Sequence, residues 1–333
     1  MDAITTRLPV RFVATGAYVP STVVSNEHFV RYLDTSDEWI VTRTGIKERR
    51  KAAPHEYTST LAVHAAREAL ANAGMKGSDL GIIICATATG DYQFPSTAAV
   101  VQGELGAGNV PAMDVGAACS GFLYGTATAG AMLSAGIYKN ALVIGAETLS
   151  RFTDYEDRTT AVLFGDGAGA AILEKAPNSE QGILYFEMGC DGSKSDHIYI
   201  VAGGSRMPAS PTTTAERLHF LRMKGREVYK FAVVKMQDLI DRALAATGLT
   251  ADDIKLVIPH QSNLRIIESV QERMGLPREK IVVHIDRYGN TSAASVIMGL
   301  HEARKSGQVK TGDHILMIAI GAGLVWCVMV ARM

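Results

Sequence analysis

The chain has 333 residues, 47% hydrophobic and 20% charged, with 33 Lys and Arg against 34 Asp and Glu. That length holds one large or two ordinary domains with a substantial core, and the near-neutral balance argues against a nucleic-acid binder. Cys85, Cys119, Cys190 and Cys327 form no CxxC pair, the first residues lack the apolar core of a signal peptide, and no apolar run could cross a bilayer. A zinc site, a disulfide framework and a membrane span are therefore not expected, and a reducing, cytoplasmic setting is.

In chain order, residues 10–18 read as a first strand stopped at Pro20. Ser25-Asn26-Glu27 and then residues 34–39 each carry a helix-start pattern. Residues 43–51 form a locally basic loop, either a solvated turn or a phosphate-facing rim with Trp39 as a stacking surface beside Arg43. Residues 58–74 have helical spacing and end in glycine, and 80–87 read as a fully apolar strand. A helix at 95–106, a strand at 111–115, an apolar helix headed by Cys119 and a strand at 141–145 follow. Continuous apolar strands alternating with helices predict a parallel sheet covered on both faces.

The second half repeats the first. Ala69-Leu70-Ala71 recurs as Ala243-Leu244-Ala245 at an offset of 174, Asp114…Cys119-Ser120 meets Asp286…Thr291-Ser292 at 172, and Ala141-Leu142 meets His314-Ile315 at 173. This order predicts two copies of one α/β unit, residues 1–175 and 176–333, related by a pseudo-twofold axis with a seam at 174–182. Ligands of parallel α/β sheets bind beyond the carboxyl ends of the strands. Three such ends carry chemistry: strand 256–258 runs into His260, strand 281–286 into Asn290, and strand 113–115 into Cys119.

Cys119 sits where free helical N–H groups and partial positive charge would lower a thiol pKa and bind an oxyanion. A small buried hydrophobe is the plain alternative for a free cysteine. Residues 164–169, FGDGAG, imitate a dinucleotide loop but lack the third glycine in register and precede a strand, so they read as a tight turn. His64, His219 and His284 have no partner at metal-ligand spacing, which leaves core or surface roles.

The assembled motifs resemble β-ketoacyl-acyl-carrier-protein synthase III, a condensing enzyme that starts type II fatty acid synthesis. They are GAYVP (16–20), DTSDEWIVTRTGI (34–46), AACSGF (117–122), FGDGAGA (164–170), PHQSNLRI (259–266) and GNTSAAS (289–295). The resemblance implies the thiolase fold, five α-β-α-β-α layers in two similar halves. It makes Cys119 the acyl-accepting nucleophile of a triad with His260 and Asn290, and the Cys119 and Ala322 N–H groups the oxyanion donors. It assigns Trp39, Arg43 and Arg158 to the adenine and phosphates of coenzyme A and Asn263 to the pantetheine tunnel. Arg265 would contact the carrier protein. Phe94, Phe164 and Ile320 would line the acyl pocket, with Phe94 crossing a homodimer interface. Acyl-CoA and malonyl-acyl carrier protein would be substrates, and no cofactor, metal, nucleic acid or membrane would take part.

Two departures stand out. The family often reads FGGGF near the C-terminus, whereas residues 320–324 are IGAGL. Glu268 and Glu272 also make the helix after Arg265 less basic than carrier docking suggests. A related acyltransferase of specialised metabolism, a nucleotide-dependent oxidoreductase and a non-catalytic acyl-binding module are the alternatives.

Overall fold

The computed structural model describes residues 7–177 and 181–333, so part of the 174–182 seam lies outside the described residues. Its strands are β1 (Val10–Tyr18), β2 (Thr22–Ser25), β3 (Glu48–Lys51), β4 (Ile83–Ala86), β5 (Ala112–Val115), β6 (Asn140–Thr148), β7 (Asp166–Lys175), β8 (Gly182–Cys190), β9 (Ile198–Ile200), β10 (Leu221–Met223), β11 (Ile254–Pro259), β12 (His314–Gly321) and β13 (Val325–Arg332). Two large sheets dominate, ordered β1-β7-β6-β4-β5 and β8-β13-β12-β11.

Both sheets are mixed, not parallel as the sequence pattern predicts. Strands β4, β5 and β6 run parallel, but β7 is antiparallel to both β6 and β1. In the second sheet β11 and β12 are parallel while β13 is antiparallel to its neighbours. A strand buried on both faces is continuously apolar in either orientation, so composition alone cannot fix direction.

Alternation along the strands sorts the layers. Ile82, Ile84, Ala141 and Val143 join Leu256, Ile258, Ile315 and Met317 in one central core, together with residues of helices Gly121–Ser134 and Ala294–Lys305. The intervening Ile83, Cys85, Leu142 and Ile144 pack outward on helix Thr58–Ala73. Val257, Leu316 and Ile318 pack outward on helices Gly225–Thr247 and Leu264–Met274. The result is the expected five layers, α-β-α-β-α. Helix Gly121–Ser134 is rich in glycine because it lies between two sheets. A Cβ on Gly121 would come within 2.9 Å of the Ala86 Cβ, and one on Gly130 within 2.8 Å of Leu8 Cδ1. Burial, at about 1.5–3 kcal/mol per large apolar side chain, outweighs the helix propensity lost at each glycine, about 1 kcal/mol.

Three local expectations change. Residues 48–51 of the basic loop form β3, paired with β2, and Arg49 is buried, donating to Val24 O, Asn26 Oδ1 and Val162 O. The strand expected at 281–286 shrinks to one bridge between Ile281 and Val257, followed by the short helix Ile285–Tyr288. Gln261 explains this: its buried amide donates to Val282 O and accepts from His284 N and Ile285 N, replacing a ladder with one side chain. Finally, residues 166–169 begin β7 and are not a turn. Gly165 there meets the chain at close quarters, since a Cβ on it would lie 2.1 Å from Tyr288 O.

Candidate active site

Strand β5 delivers the chain to a single 3₁₀ turn, Ala118–Ser120, which precedes helix Gly121–Ser134. Ala118 has φ of 42°, a left-handed conformation that costs a residue bearing a Cβ. Ser292 has φ of 47° and lies 174 residues later. The paired residues Ile83–Leu142 and Val257–Leu316 share that offset of 174. The turn at Ala118 therefore corresponds to that at Ser292, and the offsets of 172 and 173 read from sequence give way to 174. The segment that curls into helix Ile285–Tyr288 where a strand was expected accounts for the misreading.

Each turn rests on the opposite sheet. A Cβ on Gly321, at the end of β12, would sit 2.8 Å from Cys119 N, and one on Gly145, in β6, would sit 2.3 Å from Ala293 O. Glycine at these two positions is what lets the turns approach.

Cys119, His260 and Asn290 line one cavity of about 350 Å³, with Ala322, Phe164, Ile320, Asn263 and Arg43. His260 is buried at the end of β11, and its Nδ1 lies 2.6 Å from Ser295 Oγ. Ser295 Oγ also accepts from Gln261 N at 3.4 Å, and Ser295 O is 3.0 Å from His284 Nε2. Burial, with His284 adding to it, pushes the His260 pKa down to about 3, so the imidazole is neutral. Asn290 Oδ1 accepts from Ser292 N at 2.8 Å, which leaves the amide N–H₂ as the unassigned donor.

The Cys119 thiol departs from expectation. Burial pushes its pKa up to about 12, and the negative Glu147 adds to this, while Ser292 and the residue's own backbone N–H pull it down. Desolvation outweighs the turn's donors. With thiol and imidazole shifted in opposite directions, the resting pair is thiol and neutral imidazole, not a thiolate–imidazolium pair.

At the cavity mouth, the exposed guanidinium of Arg43 lies 4.8 Å and that of Arg158 5.0 Å from the Trp39 ring centre. Arg158 also donates to Asp34 O at 2.6 Å. Asn263 Nδ2 donates to Arg43 O at 2.9 Å while Asn263 Oδ1 caps helix Leu264–Met274 through Arg265 N. Arg265 is exposed on the first turn of that helix. Phe94 is 87% exposed and is absent from the cavity lining in this chain.

The histidines read as non-metal residues have plain partners. His64 stacks on Tyr18 at 4.4 Å, and His219 Nε2 lies 2.9 Å from Thr213 Oγ1. Sequence reasoning passed over Ser292, Ser295, Gln261 and Glu147. The first three lie inside motifs already singled out, GNTSAAS and PHQSN, so their polarity amid small residues was the available signal. Glu147 stands alone in an apolar strand, and a buried charge in a strand is itself a signal.

Residues 244–333 match the family described as 3-oxoacyl-[acyl-carrier-protein (ACP)] synthase III C terminal, and residues 113–192 match 3-oxoacyl-[acyl-carrier-protein (ACP)] synthase III. A β-ketoacyl-[acyl-carrier-protein] synthase III of Caldanaerobacter subterraneus is 50% identical over 94% of this chain and 95% of its own. One from Symbiobacterium thermophilum is 50% identical over 97% and 98%. The crystal structure of 3-oxoacyl-[acyl-carrier-protein] synthase III from Aquifex aeolicus superposes with a TM-score of 0.90 at 44% identity, covering 97% of this chain and all of that one. Motifs, layers and relatives agree: the chain belongs to the β-ketoacyl-acyl-carrier-protein synthase III family of thiolase-fold condensing enzymes.

Proposed function

We propose that Cys119 takes an acyl group from a short acyl-CoA and that His260 and Asn290 then drive decarboxylative condensation with malonyl-acyl carrier protein. The observation that carries this reading is the shared cavity of Cys119, His260 and Asn290, with Arg43 in its lining and Arg158 over the same Trp39 ring as Arg43. In the first half-reaction the sulfur of Cys119 attacks the thioester carbonyl and coenzyme A leaves with the thiol proton. The Cys119 and Ala322 N–H groups stabilise the oxyanion. In the second, the malonyl carboxylate leaves as carbon dioxide, and the electron pair it releases forms an enolate. That enolate attacks the acyl-Cys119 carbonyl, the carbon–sulfur bond breaks to give a 3-oxoacyl carrier protein, and the departing sulfur takes a proton from solvent to restore the thiol.

A neutral His260 suits enolate stabilisation, because Nε2–H is a donor when Nδ1 accepts. Ser295 supports that tautomer by donating its hydroxyl to Nδ1 while accepting from Gln261 N. Asn290 supports the same role through its free N–H₂. No step calls for a metal or redox cofactor. Trp39, Arg43 and Arg158 hold the nucleotide of coenzyme A, and Asn263 lines the path of its pantetheine arm. Arg265 meets the carrier protein, and Phe164 and Ile320 bound the acyl pocket.

We read the chain as two halves, 1–175 carrying Cys119 and 176–333 carrying His260 and Asn290; the matching strand orders favour this. Phe94 and Tyr92, 87% and 64% exposed, favour a homodimer in which Phe94 enters the partner's acyl pocket. Among the described residues no helix is long and apolar enough to cross a membrane, and a cytoplasmic enzyme is the natural setting. The second reading is a condensing enzyme of specialised metabolism; the priming β-ketosynthase of the R1128 polyketide pathway is 32% identical with a TM-score of 0.89.

The test is a panel of acyl-CoA primers with malonyl-acyl carrier protein. Acylation of Cys119 followed by 3-oxoacyl product is expected; a product from unusual primers alone would favour the second reading, and acylation with no product from any primer would overturn both.

A further inference from the structure

Glu147, near the end of β6, is wholly buried and has no role in the chemistry above. Its carboxylate joins two parts of the cavity wall. One is the segment after β4. Oε2 accepts from Thr89 Oγ1 at 2.6 Å, Ala88 N at 3.1 Å and Thr87 Oγ1 at 3.2 Å, and Oε1 accepts from Ala88 N at 3.2 Å. This side is a fixed frame, since Thr89 Oγ1 itself accepts from Thr148 N at 2.9 Å. The other part is the turn after Asn290, where Oε1 accepts from Ser292 Oγ at 3.0 Å. Ala88 and Ser292 both line the cavity of Cys119, His260 and Asn290. Burial pushes the Glu147 pKa up to about 7 against the pull of these bonds, so above that pH the side chain only accepts.

The turn at Ser292 is what holds the Asn290 side chain. The Asn290 backbone is fixed by residues 163–165, its N donating to Leu163 O at 2.9 Å and its O accepting from Gly165 N at 3.0 Å. Its side chain is held by Ser292 N, which donates to Oδ1 at 2.8 Å. Ser292 keeps its left-handed φ of 47°, a backbone that persists only where the surroundings over-determine it. The bond from its hydroxyl to Glu147 is such a restraint. Gly145 and Glu147 are two residues apart in β6 and so share a face. The glycine makes room for the turn at Ala293, and the carboxylate bonds it at Ser292.

We infer that Glu147 is a positioning residue for the condensation step: by holding the Ser292 hydroxyl it fixes the turn whose backbone N–H binds Asn290 Oδ1 and leaves the Asn290 N–H₂ free for substrate. The inference rests on reading Asn290 as a donor to the enolate. Glu147 itself touches no reacting atom; its effect passes through Ser292 and then Asn290.

The experiment measures single-turnover condensation of preformed acyl-Cys119 with malonyl-acyl carrier protein at about pH 8, where Glu147 is ionised, so that acylation rates do not enter. The proteins are wild type, Glu147→Gln and Ser292→Ala, each made with Asn290 intact and with Asn290→Ala. In Glu147→Gln the new carbonyl can keep the Thr89 and Ala88 bonds while N–H₂ meets the Ser292 hydroxyl, which loses its acceptor. In Ser292→Ala the hydroxyl is gone and the backbone N–H remains. With Asn290 intact, each change should slow condensation about tenfold or more, because a misplacement of about 1 Å can cost about a hundredfold. In the Asn290→Ala background each should cost less than about twofold, since residues acting through one another are not additive. A loss that persists undiminished without Asn290 would mark general damage to the fold and overturn the inference. So would condensation at the wild-type rate in Glu147→Gln with Asn290 intact. If Glu147→Gln does not fold, the two Ser292→Ala proteins decide by the same criteria. Asn290→Ala alone tests the reading beneath the inference: condensation as fast as wild type would remove Asn290 from the reaction and the inference with it, whereas a slow Asn290→Ala with additive losses removes the inference only.

Discussion

His260 Nδ1 and Ser295 Oγ lie 2.6 Å apart, and the same Ser295 presents its carbonyl to His284 Nε2 at 3.0 Å. One serine on helix Ala294–Lys305 thus holds two buried imidazoles, one lining the cavity and one behind it.

Ser295→Ala should remove the donor that keeps the Nε2–H tautomer of His260. For metal-bound histidines, loss of the partner that orients the ring costs about 10–100-fold, and the lower end serves as the guide here. We expect the condensation rate to fall by about tenfold while self-acylation changes little. His260→Ala and Asn290→Ala should show the same split more strongly. Separate assays of the two half-reactions check this, and equal loss in both would remove these residues from the enolate step.

The pH behaviour follows from the sign of the His260 shift. Its folded pKa, about 3, is below its usual 6.5. The stability tied to neutral His260 is therefore present above about pH 6.5 and is lost as pH falls from there toward 3, because the unfolded chain takes the proton first. We expect no loss of kcat near pH 6.5 from imidazole protonation, and a Tm that drops on acidification. The Tm of His260→Gln should depend less steeply on pH below 6.5.

Gly321→Ala should be more damaging than its size suggests. The added Cβ meets Cys119 N at 2.8 Å, Ala117 O at 3.0 Å and Ser120 N at 3.1 Å, all of them backbone atoms that cannot swing aside. Overpacking of this kind costs about 1–3 kcal/mol. A lowered Tm with acylation lost out of proportion is the expected result from calorimetry and intact-mass measurement.

Cys119→Ser should form no acyl-enzyme with acetyl-CoA, since the alcohol is a far weaker nucleophile in a site that does not supply a charged base. An adduct of equal yield on the variant would refute the assignment.

Arg43→Ala should raise KM for acyl-CoA more than it lowers kcat, with a shallower salt dependence, because its guanidinium is exposed at the mouth beside Trp39. An acyl-N-acetylcysteamine, which lacks the nucleotide, should acylate both proteins at similar rates. Equal slowing of that truncated substrate would show that Arg43 supports the fold or the cavity.

The sequence carried much of this arrangement. The internal repeat was enough for two copies of one α/β unit, the five layers came with the family resemblance, and three strand ends led to Cys119, His260 and Asn290. Strand direction was hidden because β7 and β13 are as apolar as their parallel neighbours. The end of the repeat was misread because Gln261 satisfies by side chain the backbone groups that a strand would have paired. The thiol pKa went the wrong way because helix position is visible in a sequence and burial of one sulfur is not.

The crossed seating of the two left-handed turns has a consequence for how such a chain can be divided. The turn that bears Cys119 lies on Gly321 of the second sheet, and the turn that bears Ser292 lies on Gly145 of the first. Each sheet is the anvil for the other's working part. A chain cut between β7 and β8 would yield one piece with a nucleophile and no floor beneath it, and another with a floor and nothing to support. Such fragments are mutually dependent chaperones, not modules, and the repeat could become a catalyst only as a fused or tightly associated pair.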